Sequence, residues 1–423
     1  MKHIILSLLC LLLPCASLSV SASDNWTMFR GSTGQNHSTA TGLPVKWNAE
    51  NNENLAWKTE IPGSGWSSPI IWDDRIFLTS TTDEGKECRV ISVDKNTGKI
   101  LWNKIVFTQE PQNKHPKNSF ATPTPATDGK NVYVVFGSGG FAALDFNGNI
   151  IWTNTELLYY SKHGLGTSPI LYKDLLITAV NPSSREDIRL GWQDVWDKNF
   201  VLALDKNTGK ERWRARRGLS RIGHSTPIVI SVNGKDLLVS PAGNVIQGFN
   251  PENGELVWTV QSMGEPAVPS AAYGDGLVFM ANSPSDLIRA VRPDGKGDCT
   301  ATKIVWEVKR NVPTMASFLY VKPCLYTACD NGSFSAFDAA TGELFWQKRL
   351  SGNLNPSPLY ADGKIYVLSE DGTTTVLQPA DDPKQEPAIL SRNELGEHAL
   401  ASIAVSGKSL YIRTDKHLWR IGK

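Results

Sequence analysis

"ALDKNTGKERW", residues 203–213, decides the fold, because close copies of it recur along the chain. The copies are "SVDKNTGKILW" at residues 92–102, "GFNPENGELVW" at residues 248–258 and "AFDAATGELFW" at residues 336–346. Each copy places an Asp or Asn before a turn that contains Gly, and a Trp in the strand that follows. Gly tolerates the positive φ of tight hairpin turns, and the Asp can accept hydrogen bonds from turn N–H groups. The stretch therefore predicts a β-hairpin that ends in a docked tryptophan.

Two divergent copies, residues 143–152 and 290–306, keep the closing Trp although their turns differ in length. We expect the small residue about ten positions before each Trp to make room for a large side chain of a neighbouring unit. The residues assigned to the structural repeat are Trp57, Asp94, Gly98, Trp102, Trp152, Asp205, Gly209, Trp213, Trp258, Trp306, Asp338, Gly342 and Trp346.

Clusters of Ser, Thr and Pro give an independent count of the units, because each cluster precedes a predicted hairpin. There are eight: "WSSPII", "ATPTPA", "GTSPIL", "HSTPIV", "AVPSAA", "TMASFL", "NPSPLY" and "ALASIA". Their spacing is typical of β-propeller blades. In the seventh unit Ile389 and Leu390 are expected to replace the Trp. The eighth unit lacks an outer strand, which residues 55–61 are predicted to supply, because ring closure removes exposed sheet edges. The predicted fold is an all-β, eight-bladed β-propeller of four-stranded blades, with the last blade closed by an N-terminal strand.

The N-terminus has the features of an export signal. Lys2 and His3 precede an apolar run at residues 4–13, and a small-residue cleavage site ends at Ala22. We expect a signal peptide at residues 1–22, a strap at 23–54 and the propeller at 55–423. The chain is expected to be exported, periplasmic or secreted, and monomeric. No later apolar run is long enough to span a bilayer, and a net charge of +1 gives no field that favours nucleic acid.

Four cysteines follow the expected signal peptide: Cys88, Cys299, Cys324 and Cys329. The last two lie on one predicted strand, which would separate them by roughly 17 Å. A disulfide requires Cα atoms within about 7 Å, so these two are not expected to pair. The redox state of the four thiols stays open, and their spacing matches no zinc site.

The repeat resembles the pyrroloquinoline-quinone (PQQ) repeat, from about residue 55 to the end of the chain. Proteins with this repeat include eight-bladed quinoprotein alcohol dehydrogenases and PQQ-like propellers without cofactor, among them a lipoprotein that assists outer-membrane barrel assembly. The segment "NWTMFRGSTGQNHSTATGLPVKWN", residues 25–48, resembles the lead-in of exported PQQ-like propellers.

For the dehydrogenases, the resemblance implies a vicinal Cys-Cys disulfide, a Ca²⁺ bound by Glu and Asn, and an Asp base. No two cysteines are adjacent here, and no acidic residue matches those positions by motif. We therefore expect no catalytic residue, no metal site and no cofactor. The predicted role is a non-catalytic binding or scaffold module. A PQQ-dependent oxidoreductase with Ca²⁺ is the alternative, and a factor for assembly of cell-envelope proteins is the second alternative.

The long loops are predicted to share one face of the ring, and they include residues 107–120, the segment from residue 155 and the insertion from residue 181. Long loops in a compact fold often carry function, so a ligand is expected on this face, over the axial channel. The candidate ligand face comprises Trp66, Phe120, His163, Trp192, Trp196, Arg221, His224, Asn355 and His398.

Two interpretations of these residues stay open. The three histidines, expected at equivalent positions of their blades, either contact a polar ligand or bond backbone groups and solvent. Trp192 and Trp196 either pack on the rim as one helical turn or form an aromatic platform for a glycan or peptide. The expected partner is a protein, a small polar ligand or a glycan, and nucleic acid is not expected.

Overall fold

Eight antiparallel β-sheets form the blades of a ring in the computed structural model, which describes residues 25–262, 264, 268–282 and 287–422. Each blade contributes four strands, numbered here from inner to outer. Helical structure in the described residues is limited to Thr300–Lys303 and the 3-10 turn Asp83–Gly85. The predicted all-β, eight-bladed propeller is confirmed. The expected signal peptide, residues 1–22, lies outside the described residues.

The strands of the first four blades follow one another along the chain. Blade 1 contains Ile70–Trp72, Arg75–Thr82, Glu87–Asp94 and Ile100–Thr108. Blade 2 contains Ala126–Thr127, Asn131–Val135, Phe141–Asp145 and Ile150–Asn154. Blade 3 contains Ile170–Tyr172, Leu175–Val180, Phe200–Asp205 and Glu211–Arg216. Blade 4 contains Ile228–Val232, Lys235–Ala242, Val245–Phe249 and Leu256–Gln261, with Gly297–Asp298 added in parallel at its outer edge.

The remaining blades complete the ring. Blade 5 contains Ala272–Gly274, Leu277–Asn282, Leu287–Val291 and Ile304–Val308. Blade 6 contains Leu319–Val321, Cys324–Ala328, Ser333–Asp338 and Leu344–Arg349. Blade 7 contains Leu359–Ala361, Lys364–Leu368, Thr373–Gln378 and Ala388–Glu394, with His37–Ser38 in parallel on its inner strand. Blade 8 contains Ala404–Ser406, Ser409–Arg413, His417–Ile421 and Leu55–Glu60.

The N-terminal strand closes the ring as the sequence predicts. Leu55–Glu60 runs antiparallel to His417–Ile421, with Trp57 opposite Arg420. The first and last parts of the propeller therefore share one sheet, and blade 8 cannot be completed without both.

A closed circle of hydrogen bonds joins the inner ends of all eight blades. In each blade one Ser or Thr donates its backbone N–H to the side-chain hydroxyl of the equivalent residue in the next blade, with N–O distances of 2.9 to 3.1 Å. The eighth residue donates to the first, so the circle has no end. We call these residues the hydroxyl ring; they are Ser68, Thr124, Ser168, Thr226, Ser270, Ser317, Ser357 and Ser402. This contact explains why a Ser or Thr precedes every inner strand.

The tryptophans of the repeat join neighbouring blades, but not through the residue that the sequence analysis proposed. Trp213 lies opposite the small residue Ala203 of its own repeat, within one sheet. In the next blade, Trp213 packs against the turn residue Gly254. The packing is so close that a Cβ added to Gly254 would lie 2.6 Å from the indole. The expectation that the small residue receives a neighbouring unit is therefore wrong, because cross-strand pairing places it beside its own Trp.

The same docking recurs around the ring, and the indole N–H adds a hydrogen bond in several copies. Trp57, Trp102, Trp152 and Trp306 donate to the backbone carbonyls of Lys95, Phe146, Lys206 and Ala339, respectively, in the next blade's turn. The acid of the motif holds that turn, since Asp94 Oδ1 accepts from the N–H groups of Asn96 and Thr97. The apolar core accordingly consists of clusters between neighbouring blades.

Blade 7 lacks the repeat Trp, and the residues expected to replace it, Ile389 and Leu390, do not occupy its position. Ile389 lies opposite Leu377, and a bulge then brings Ser391 opposite Val376, the register that Trp occupies in other blades. Neither Ile389 nor Leu390 fills the place of the Trp. Trp47, from the segment before the propeller, instead joins the apolar cluster of blades 7, 8 and 1.

Residues 25–48 cross the ring beneath the inner strands and bond to several blades. Trp26 exchanges two backbone hydrogen bonds of 2.8 Å with Ile71 of blade 1. The buried Arg30 donates to the carbonyls of Ala271 and Phe318, in front of blades 5 and 6, at 2.9 and 2.5 Å. These contacts place the strap across the end of the axial channel opposite the long loops.

The hydroxyl ring makes a direct prediction about stability. Ser168→Ala removes the acceptor of the buried Thr124 N–H, which should lower the free energy of unfolding by about 1–3 kcal/mol. Ser168→Thr keeps the hydroxyl and should cost less, because Thr already holds this position in blades 2 and 4. Urea unfolding followed by tryptophan fluorescence measures both. Equal stability of the Ala variant and the native protein would refute the role given to the ring.

Candidate functional site

A cavity of about 400 Å³ runs along the propeller axis and is lined by every blade. At one end it is lined by residues of the long loops, among them His115, Lys117 and His163. At the other end it meets Phe29 of the strap. The long loops therefore surround the entrance, as predicted for this face, and the strap forms the floor.

Two rings of side chains build the wall, because residues two apart on an extended chain point to the same side. The hydroxyl ring is the lower one. The residue two positions earlier in each blade also lines the cavity, and we call these eight residues the upper ring: Trp66, Thr122, Gly166, His224, Val268, Met315, Asn355 and Leu400. The lower ring has one chemistry throughout, whereas the upper ring combines aromatic, aliphatic, amide and imidazole groups. Selectivity for a ligand would reside in the upper ring.

Three histidines and a tryptophan lie together on one side of the entrance. The ring centroid of His163 is 5.8 Å from that of His115, 6.0 Å from that of His224 and 5.8 Å from that of Trp192. His224 is only 8% exposed, and neither of its ring nitrogens has a hydrogen-bond partner in the described part of the chain. An imidazole that is buried against a cavity in this way can donate to or accept from a ligand.

Two of the histidines at the channel, His163 and His224, are uncharged at neutral pH. The pKa of His224 is lowered to about 3, mainly by burial and to a smaller extent by the positive charges that His163 and His115 can carry. The pKa of His163 is lowered to about 4, again mainly by burial and to a smaller extent by the positive charges of His115 and Lys162. Both groups are neutral imidazoles until a bound negative charge favours their protonated forms.

Other buried polar atoms on the wall also have no hydrogen-bond partner among the described residues. They include the indole N–H of Trp66 and the amide oxygen of Asn355. The amide nitrogen of Asn355 donates to Glu370, which also pairs with Lys117 at 2.8 Å. The upper ring thus offers both a donor and an acceptor besides His224, while the carboxylate nearest the entrance is already engaged.

The predicted ligand-face residues divide into three groups. Trp66, His224 and Asn355 lie on the channel wall, and His163 lies at the entrance with Trp192 against it. Phe120, Trp196, Arg221 and His398 are not among the described residues that line the channel.

The residues outside the channel have other contacts. The ring of Phe120 lies 5.7 Å from Lys114 Nζ, and Arg221 donates to the carbonyl of Gly264 at 2.9 Å. Trp196 exchanges backbone hydrogen bonds with Ser220. His398 bonds to Asp415 at 2.9 Å.

The expected equivalence of the three histidines is wrong. His224 precedes its hydroxyl-ring residue, Thr226, by two positions, but His163 precedes Ser168 by five and His398 precedes Ser402 by four. The blades that follow His163 and His398 therefore present Gly166 and Leu400, respectively, to the channel instead. The segment with Trp192 and Trp196 forms turns and bridges and no helical turn. Lys162 Nζ lies 5.4 Å from the centroid of the Trp192 ring.

Phe29 and most of the upper ring are not among the residues that the sequence predicts for the ligand face. Counting back two residues from each Ser or Thr of the repeated clusters would have identified the upper ring. Phe29 carries no comparable signal, since its place depends on the path of the strap.

The channel does not fit the PQQ and Ca²⁺ of the enzymatic alternative. Among the described residues that line it there is no Asp, Glu or Cys. The four cysteines are buried and form no disulfide, and no group of His, Cys, Asp and Glu in the described ranges is arranged to hold a metal ion.

Within the described ranges of the chain, no helix has the length and apolar character needed to cross a bilayer.

The fold and its repeat define a propeller of the PQQ-repeat class. The chain belongs to the family described as outer membrane protein assembly factor BamB, whose model matches residues 22–157, 195–298 and 296–385.

Individual relatives are more distant. The BamB of Yersinia pestis is 24% identical over 221 residues, which are 47% of this chain and 53% of that protein. The quinoprotein alcohol dehydrogenase PedE of Pseudomonas putida is 36% identical over 73 residues, 16% of this chain and 12% of that enzyme. This chain thus matches about half the length of the first relative and a small part of the second.

Solved structures share the fold at low identity. The crystal structure of BamB from Moraxella catarrhalis aligns over 87% of this chain and 97% of that one, with a TM-score of 0.59 and 16% identity. A europium-containing methanol dehydrogenase aligns over 92% of this chain and 89% of that one, with a TM-score of 0.64 and 12% identity. The same architecture therefore occurs in an assembly factor and in an enzyme.

The histidine pair predicts how stability changes with pH. Unfolding restores an ordinary imidazole pKa near 6.5, so the unfolded chain binds protons between about pH 6.5 and 4 that the folded protein does not. Stability should thus fall as the pH drops through this window, by up to about 1.4 kcal/mol per pH unit for each histidine. His224→Asn should make the fall shallower than in the native protein when urea unfolding is measured at each pH. Parallel curves for the two proteins would contradict the burial of a neutral His224.

Proposed function

We propose that this protein is a non-catalytic binding module that admits a small ligand into the axial channel from the long-loop face. The observation that carries the proposal is a channel with a floor at Phe29 and buried, unpartnered polar atoms on its wall. Buried polar groups without partners cost free energy, and a ligand that bonds to them recovers that cost. His224 is the principal such group.

The size and composition of the channel support a small ligand. A volume of about 400 Å³ is within the range of small-molecule sites. Val268, Met315 and Leu400 supply apolar contacts, and Trp66 adds an aromatic face with an N–H donor. The ligand therefore combines an apolar body with at least one polar group.

A PQQ-dependent oxidoreductase has less support. The described lining offers no carboxylate to bind Ca²⁺ or to act as a base, and no cysteine to form a vicinal disulfide.

Assembly of envelope proteins is a second candidate, and membership of the BamB family favours it. The same family supports an exported, periplasmic protein. Exposed apolar side chains on the long-loop face, Leu158 at 82% and Leu219 at 64%, are suitable contacts for a protein partner. In that case the partner would contact the outside of the rim, and the channel would remain accessible.

Filling the channel tests the proposal. Leu400→Trp adds an indole to the upper ring, whereas Leu390→Trp makes the same change on the exposed outer strand of blade 7. Saturation-transfer NMR with a library of small molecules of varied charge should give ligands that bind the native protein and Leu390→Trp. Leu400→Trp should bind them at least tenfold more weakly, because the added ring occupies their volume.

Three results would count against the channel as the binding site. The first is a library without any ligand, and the second is equal binding by the two variants. The third is PQQ binding that depends on Ca²⁺, which would favour the enzymatic alternative. A partner protein that binds all three forms equally would support the assembly role.

A further inference from the structure

We propose that the ligand of the channel is a small organic anion, a carboxylate on an apolar body, and that it binds together with a proton taken up at His224. This inference rests on the proposed function, since it names the ligand class of the same channel. It is carried by the unpartnered hydrogen-bond donors on the wall, by the buried imidazole of His224 and by buried guanidinium groups whose hydrogen bonds go to neutral acceptors.

The channel wall carries many hydrogen-bond donors that have no protein acceptor among the described residues. Each oxygen of the hydroxyl ring accepts a backbone N–H, and none of these eight hydroxyl groups donates to a protein acceptor within the described residues. Eight O–H groups are therefore available below the upper ring. The indole N–H of Trp66 adds another donor, and neutral His224 contributes one donor and one acceptor. Asn355 and the remaining lone pairs of the hydroxyl oxygens also accept. A site built in this way favours ligands that accept several hydrogen bonds.

Three buried guanidinium groups, none of which lines the channel itself, donate their hydrogen bonds to neutral acceptors in the described residues, and Asp415 lies near one of them, Arg413. Arg30 bonds to carbonyls next to Ser270 and Ser317 of the hydroxyl ring. Arg413 bonds to the carbonyl and hydroxyl of Ser67, beside Ser68. Arg217 bonds to Asn181, Ser240 and Gln247.

Arg217 is connected to the histidine side of the wall, because Asn181 donates to the carbonyl of Gly223, next to His224. Burial lowers the pKa of Arg30, Arg217 and Arg413 to about 9, so all three remain charged at neutral pH. Electrostatic attraction between these charges and a bound anion is stronger in a poorly solvated interior than in water. An anion in the channel would be attracted by this field.

His224 is the group that can match the charge of the anion most directly. Its two nitrogens face no protein acceptor in the described residues, and it lies in the upper ring against the cavity. A carboxylate beside it favours the imidazolium form and gains a charge-assisted hydrogen bond. The charged and titratable groups on this side are His163, His115, Lys162, Lys117, Arg221 and Glu370. Glu370 pairs with Lys117, and the others are basic, so an anion meets little opposing charge.

Three probes of one shape and different charge test the ligand class: benzoate, benzyl alcohol and benzylamine. Isothermal titration of the native protein at pH 6 should show benzoate binding at least tenfold more tightly than the other two. Leu400→Trp should weaken benzoate, and Leu390→Trp should not. Similar affinities for all three probes, with loss in Leu400→Trp, would overturn the anion inference and leave the channel as a binding site. Absence of benzoate binding, or equal binding by both variants, would overturn the anion inference as well.

The proton is tested separately. Benzoate affinity should rise by up to tenfold for each unit that the pH falls from 7 to 5, because only the bound form favours imidazolium. His224→Asn should remove this dependence, while His37→Asn on the opposite face should keep it. Titration of the native protein in phosphate and in Tris gives the proton count without any variant, and one proton per benzoate is expected. A count of zero, or a pH dependence that His224→Asn retains, would contradict proton uptake at this residue.

Discussion

The hydrogen-bonded circle at the inner ends of the blades is the constraint on which the rest of the structure depends. Each bond joins a backbone N–H of one blade to a hydroxyl of the next, and Ser402 bonds back to Ser68. Because the circle is closed, it fixes the angle between blades and the position at which each chain turns into its inner strand. The docked tryptophans act further out, where Trp213 packs against the turn at Gly254. Inner polar bonds and outer aromatic contacts thus hold the same interfaces.

The circle also explains why a binding site can lie on the axis. It fixes the backbone two residues above each hydroxyl, so the upper ring is positioned by structure that does not depend on its own side chains. Those side chains are free to differ, and they do, from Gly166 to Trp66. Phe29 then provides a floor, which turns the channel into a cavity with one entrance at the histidines. The hydroxyl ring thus holds the blades together, and the residues two positions earlier in the same segments are left to contact a ligand.

The sequence predicts the fold well because each of its signals is local. A turn with Gly98 after Asp94, or a Ser before an inner strand, acts within one hairpin and repeats in every blade. The closing strand, Leu55–Glu60, is predictable because the last unit lacks a partner. The site is less predictable, since it depends on register across blades: His163 and His398 are offset from the channel position that His224 holds. The role of Trp47 in blade 7 depends on a strap whose path has no periodic signal.

The most direct test of the account is the protonation state of His224 in the free and occupied channel. Long-range ¹H–¹⁵N NMR of the imidazoles at pH 5.5, with His224→Asn used to assign the signal, reports it for each histidine. The account predicts a neutral imidazole in the free protein, because burial keeps its pKa near 3, and an imidazolium signal after saturation with benzoate. A His224 that is already protonated in the free protein at this pH, or one whose signal benzoate leaves unchanged, would contradict a buried, ligand-facing imidazole as the centre of the site.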